Sequence, residues 1–145
     1  MEKIATEYGY KEVLEKGATF HYNHKNELHN PNGPAIEFPN GSKKYYVNGE
    51  LHRTDGPAIE WSDGHKEYYI NGVMHRTDGP ADDTELYKAY YVNGVLHRTD
   101  GPAYEDTYGS KLYFKDGKPH RTDGPAIINH GIELHFVNGK YVWKL

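Results

Sequence analysis

Cysteine is absent and methionine occurs only twice, which excludes disulfide staples, thiolate metal sites and a cysteine nucleophile, and fits a reducing cytoplasm. Long apolar runs are also missing; no stretch approaches the roughly 18 residues that a membrane helix needs. The leading segment MEKIATEYGYKEVLEKG has neither the basic nor the apolar portion of a secretion signal. The expectation is a cytoplasmic chain with no transmembrane segment. A basic excess is lacking as well: the formal net charge is −4, so no nucleic-acid partner is expected.

What the chain has in plenty is tyrosine, 14 residues against 4 phenylalanines. Rings with one apolar body and one polar tip suit positions half in water, hence a thin sheet more than a thick core. The heptapeptide HRTDGPA stands at 52–58, 75–81, 97–103 and 120–126, with a weaker copy, HNPNGPA, at 29–35. The anchoring His and the Gly-Pro step both recur at spacings of 23, 23, 22 and 23. Five repeats follow: 27–49, 50–72, 73–94, 95–117 and 118–139, preceded by a lead and degenerate capping hairpin (1–26) and followed by a cap strand (140–145).

Each repeat carries two strand candidates. One follows Pro-Ala, as in AIEF and AIEW; the other is aromatic, as in KKYYV, KEYYI and KAYYV. Asn-Gly or Asp-Gly closes every repeat, at 48–49, 71–72, 93–94, 116–117 and 138–139, and both dipeptides favour the positive φ angles of tight hairpins. The one-residue shortening of repeats 3 and 5 falls between the two strands, where a loop absorbs it. Alternation sorts the aromatic run into two half-apolar faces, Tyr45, Tyr68, Tyr90, Tyr113 and His135 on one and Tyr46, Tyr69, Tyr91, Phe114 and Phe136 on the other. The predicted fold is all-β: an elongated single-layer antiparallel sheet of stacked hairpins, with Trp143 covering the last ring. Residues 1–10 are read as a short helix or a disordered lead, because Ile4, Tyr8 and Val13 make too thin a pattern to choose.

Units of this length, built as a hairpin with an aromatic strand and a terminal Asn-Gly or Asp-Gly, resemble MORN repeats. The His-Arg-x-x-Gly-Pro-Ala form resembles a MORN-like variant of phages, large DNA viruses and bacteria. That resemblance implies a protein-binding sheet and, for a viral chain, a place in the host cytoplasm and a host defence or regulatory factor as the target. Lipid contact is disfavoured, since no basic amphipathic helix is present.

Within the heptapeptide, Arg53, Arg76, Arg98 and Arg121 each precede an aspartate, Asp55, Asp78, Asp100 and Asp123, by two residues. On an extended segment both point to one face, so each Arg can pair with its own Asp or with that of the next repeat. Gly56, Gly79, Gly101 and Gly124 are expected to supply a φ that other residues resist. The whole is a turn and an ion-pair ladder that sets geometry more than stability. Metal binding is not expected: equivalent His in adjacent hairpins lie about 9.5 Å apart, while two His on one zinc lie about 3–4 Å apart. Catalysis is not expected either, because one preorganised constellation is needed and four near-identical copies are strung along a sheet. No cofactor is implied.

Three non-enzymatic readings follow. The leading one is capture of a protein partner by the Tyr-rich sheet, with specificity in the least repeat-like positions: Phe38, Trp61, Asp82, Asp83, Tyr104, Glu105, Asp106 and Tyr108. The second is a sponge for a nucleotide signal held by inter-repeat Arg and His. The third is an architectural role with self-association, a homodimer included.

Overall fold

The computed structural model describes residues 1–143. All of its regular structure is strand, and the chain divides into two compact units, Met1–Val73 and a second that starts at Met74. The first unit holds β1 (Glu2–Thr6), β2 (Gly9–Val13), β3 (Thr19–Asn23), β4 (Ile36–Glu37), β5 (Lys43–Lys44) and β6 (Tyr46–Val47). It continues with β7 (Glu50–Leu51), β8 (Ile59–Glu60), β9 (Lys66–Glu67) and β10 (Tyr69–Ile70), and β11 (Val73–Met74) falls at the boundary. Its main sheet is hydrogen-bonded in the order β1-β2-β3-β4-β5-β8-β9, antiparallel throughout, with β6 and β7 as a separate hairpin.

The second unit repeats the plan with β12 (Asp82–Asp83), β13 (Tyr87–Ala89), β14 (Tyr91–Val92), β15 (Val95–Leu96), β16 (Tyr104–Asp106) and β17 (Lys111–Leu112). After these come β18 (Phe114–Lys115), β19 (Lys118–Pro119), β20 (Ile127–Asn129), β21 (Ile132–Leu134), β22 (Phe136–Val137) and β23 (Lys140–Tyr141). Here the main-sheet order is β12-β13-β16-β17-β20-β21, and β14-β15, β18-β19 and β22-β23 are the separate hairpins.

Each repeat therefore makes two hairpins where one was expected. The aromatic run is not a single strand. It breaks at Tyr45 in repeat 1, whose N–H donates to the Ala58 carbonyl at 2.7 Å, and the same bond joins Tyr90 to Ala103 and Tyr113 to Ala126. Before the break the run pairs within the main sheet; after it the chain folds back through Asn-Gly or Asp-Gly. Those turns are of the doubly positive kind, with Asn48 at φ 49° and Gly49 at 80°, and Asp116 at 52° and Gly117 at 74°. The shortened repeats close their first hairpin tightly, through His130 (φ 48°) and Gly131 (φ 81°) in repeat 5, and through Thr84 in repeat 3, whose Oγ1 accepts the Leu86 and Tyr87 N–H groups.

The dry interior is a row of alanines. Ala35 and Ala58 in the first unit, and Ala81, Ala103 and Ala126 in the second, are all 0% exposed. Ile36 and Ile59 are buried beside theirs. The N-terminal ten residues are neither helix nor disordered lead: β1 and β2 form a hairpin in the register Glu2↔Val13 to Thr6↔Gly9, and β2 continues the sheet to β3. At the other end, the ring covering Phe136 is Tyr141, at 5.5 Å between centroids, not Trp143. Trp143 meets the edge of Tyr141 and is 83% exposed. The remainder of the expected cap strand, Lys144 and Leu145, lies outside the described residues.

Candidate functional site

The heptapeptide's histidine is a clamp. In every repeat its Nδ1 accepts the N–H of the residue that opens the next doubly positive turn: Asn48 to His29, Asn71 to His52, Asn93 to His75, Asp116 to His97 and Asn138 to His120, all at 3.0–3.1 Å. The residue before the histidine completes the grip. The carbonyls of Leu28, Leu51, Met74, Leu96 and Pro119 accept the N–H of the turn glycine at 2.8–2.9 Å. A two-residue-per-strand hairpin is not stable alone; here both of its turn amides are held by the residues that open the same repeat. An acceptor Nδ1 fixes the neutral tautomer, so the ring presents N–H at Nε2. At Asp116 a carboxylate oxygen also lies 3.0 Å from Nδ1.

The arginine is a fork. Arg53, Arg98 and Arg121 each donate from Nε to the aspartate two residues on (2.8–2.9 Å) and from Nη1 to the carbonyl of Pro57, Pro102 and Pro125 (3.1–3.3 Å). Arg76 does the same with Asp78 and Pro80. Of the two pairings open from sequence, each Arg takes its own Asp. The guanidinium lies flat on the tyrosine of the preceding aromatic run, with Cζ 3.9 Å from the Tyr45 ring centre, 4.0 Å from Tyr90 and 4.0 Å from Tyr113. Asp55, Asp78, Asp100 and Asp123 are held below the ordinary carboxylate range by the hydrogen bond from their arginine.

The fork corrects the expectation for the glycines. Gly56, Gly79, Gly101 and Gly124 do not have positive φ. They are glycine because the guanidinium crosses their Cα: an added Cβ would lie 2.9, 2.8, 3.0 and 2.9 Å from the arginine Cζ. Repeat 1 tests this within the molecule. Asn30 replaces Arg, keeps the bond to the proline carbonyl (Pro34, 2.9 Å), and leaves Gly33 with no contact closer than 3.5 Å.

Neighbouring heptapeptides line shallow grooves. One of about 600 Å³ lies between Arg76–Gly79 and His97–Asp100 over Tyr90 and Val92, and others of about 540 and 630 Å³ repeat the arrangement at Tyr113 and Tyr45. The stacking face of each of these tyrosines is already covered by an arginine. In the second unit the two grooves lie on either side of a shared wall, Arg98–Asp100. Among the described residues, no three His, Asp or Glu side chains are grouped to hold a metal ion.

The residues singled out for partner binding are dispersed. Phe38 and Trp61 share a face with Ile36, Lys44 and Ile59, by alternation and register. Lys44 Nζ lies 4.8 Å from the Trp61 ring and 6.0 Å from Phe38, and Trp61 Nε1 donates to Glu67 at 2.8 Å. In the second unit Asp82, Ala89 and Tyr104 share one face, and Asp106 is on it. Asp83 and Glu105 are on the opposite face, flanking Lys88, which pairs with Asp83 at 2.8 Å. Tyr104 stacks on Tyr87 at 5.6 Å and is half-buried. Only Tyr108 is open to solvent, at 76% exposure, on the loop joining β16 to β17. Sequence reasoning missed two further exposed apolar residues near the same hairpin ends, Leu86 at 56% just before β13 of repeat 3 and Ile132 at 61% as the first residue of β21 in repeat 5. The signal was present for Tyr108, a large aromatic residue at a turn position that holds Asn40 in repeat 1 and Asp63 in repeat 2. No family model matches the chain, and no curated protein matches it.

Proposed function

We propose that this chain is a non-enzymatic binding protein, a MORN-like repeat array that captures a protein partner. One observation carries the reading: the His, Arg and Asp of the heptapeptide are spent on one another and on backbone in copy after copy, while the most exposed apolar side chains of repeats 3, 4 and 5 fall where the repeats differ. Leu86, Tyr108 and Ile132 are such positions, and the loops of repeats 3 and 4 are tied together by the Thr107 N–H to the Leu86 carbonyl at 2.9 Å. Exposed Glu85 and Glu133 stand beside them. Exposed apolar side chains with acidic sequence neighbours suit a partner surface that offers apolar side chains together with Lys or Arg. The family resemblance extends this partner to a host defence or regulatory factor.

The test is capture from host lysate by the tagged chain, with cross-linking and quantitative mass spectrometry. Leu86→Ser, Tyr108→Ser and Ile132→Ser together are expected to reduce recovery of the partner at least tenfold while leaving the melting temperature within a few degrees. Equal recovery removes these loops as the site. No enriched protein, together with a melting shift on adding nucleotides, moves the function to sequestration in the grooves, where a ligand at 100 times its Kd adds about 2.7 kcal/mol.

A further inference from the structure

The main sheet of the first unit begins with β1, whose outer edge has no partner among the described residues. Natural edge strands are blunted by proline, bulges, short length or an edge-facing charge. β1 has neither proline nor bulge, pairing continuously with β2 over five residues, and its two charges, Glu2 and Lys3, are of opposite sign. Its one lysine, Lys3, is drawn across to Glu12 at 2.9 Å. Ile4 is 39% exposed.

Hydrogen-bond parity limits how such an edge can be used. β1 and β2 close through the two-residue loop Glu7–Tyr8, so the flanking pair Thr6↔Gly9 is the hydrogen-bonded one. Glu2, Ile4 and Thr6 then bond inward to β2, and Lys3 and Ala5 direct N–H and C=O outward. A second antiparallel strand must match outward residue to outward residue. For β1 against another β1, three registers satisfy that condition. Lys3 opposite Lys3 sets like charges face to face. Ala5 opposite Ala5 leaves Glu2 hanging and draws turn residue Glu7 into the ladder. Lys3 opposite Ala5 overlaps all five residues, sets Ile4 against Ile4 and Glu2 against Thr6, and opposes no like charges.

We infer that β1 is a self-complementary edge, through which two copies of this chain pair about a twofold axis at Ile4. The opposite kind of edge occurs at β21. There the loop His130–Gly131 leaves Glu133 as the outward residue, and self-pairing would oppose Glu133 to Glu133. Self-pairing is thus favoured at β1 and repelled at β21, and pairing of β1 with β1 about a twofold axis is isologous.

The absence of cysteine makes the register directly readable. In the pairing described, Ile4 faces Ile4 in a non-hydrogen-bonded pair with Cα atoms about 4.5 Å apart, within disulfide reach. Under mild oxidation of the full chain at high micromolar concentration, Ile4→Cys is expected to give a covalent dimer, and Lys3→Cys at least tenfold less. Ala5→Pro, which removes an outward N–H and no internal bond, is expected to shift the wild-type dimer to monomer in sedimentation equilibrium, with a melting curve that matches wild type at dilutions where both are monomeric. A monomeric wild type at these concentrations overturns the inference, as does equal cross-linking of the two cysteine variants. Neither readout involves the loop residues of the proposed partner site.

Discussion

A methyl group on Gly101 would come within 3.0 Å of the Arg98 Cζ, on backbone whose φ any residue could adopt. Gly41 is the reverse case, with open space around its Cα and φ at 88°. Both resist alanine, for different reasons. Gly101→Ala must push the guanidinium off Tyr90 or off Asp100, an overpacking cost of about 1–3 kcal/mol; Gly41→Ala meets the left-handed penalty of about 1–2 kcal/mol. A double-mutant cycle separates them. Adding Arg98→Ala is expected to recover part of the loss at Gly101 and none at Gly41, as read from denaturant midpoints. Equal behaviour at the two glycines would mean that the fork does not decide the residue at 101.

The hairpin is the element on which repeat coupling rests, and His97 is the point at which it can be loosened. Removing the ring by His97→Ala strips the Asp116 N–H of its acceptor but leaves the Leu96 carbonyl on Gly117. Loss of one such bond is worth about 1 kcal/mol, so the Asp116 amide is expected to exchange roughly fivefold faster, with little change at β12. His97→Asn, whose Oδ1 stands where Nδ1 did, should restore most of the protection; failure of that rescue would assign the histidine's role to packing. The turns themselves were legible in the sequence, because Asn-Gly and Asp-Gly leave few alternatives once flanked by β-branched and aromatic residues. The break at Tyr45 was not. The five-residue run KKYYV looks continuous, and the interruption comes from the Ala58 carbonyl of the following repeat, a partner that local pattern cannot supply. The clamp was hidden for the same reason: His and acceptor-seeking amide are 18 or 19 residues apart, and constant spacing reveals repetition without revealing a bond. The N-terminal hairpin escaped because β1 is almost wholly exposed, so its alternation left no apolar column to read.

At the scale of the whole molecule the forks add up in one measurable quantity, the acid limb of stability. Asp55, Asp78, Asp100 and Asp123 all have folded-state pKa values below the ordinary 3.8, each through its arginine. For a depressed carboxylate, the unfolded chain takes up its proton first as pH falls. The stabilisation is therefore complete well above the ordinary value and is lost as pH drops through it toward the folded value. His21 acts in a different window. Burial lowers its pKa from 6.5, so the unfolded chain again protonates first, and stability is shed as pH falls below about 6.5 toward the folded value. Melting temperature is thus expected to decline in two stages on acidification: a shallow fall below about pH 6.5 that His21→Gln removes, and a steeper fall near pH 4 that it leaves in place. Replacing all four aspartates by asparagine should flatten the second stage and spare the first. The carboxylates are largely solvent-exposed, with 81–83% of each side chain accessible, so 1 M salt is expected to soften the second stage by screening the pairs. A single transition near pH 4 that ignores both sets of substitutions would place the acid sensitivity in groups other than the forks and the capping hairpin.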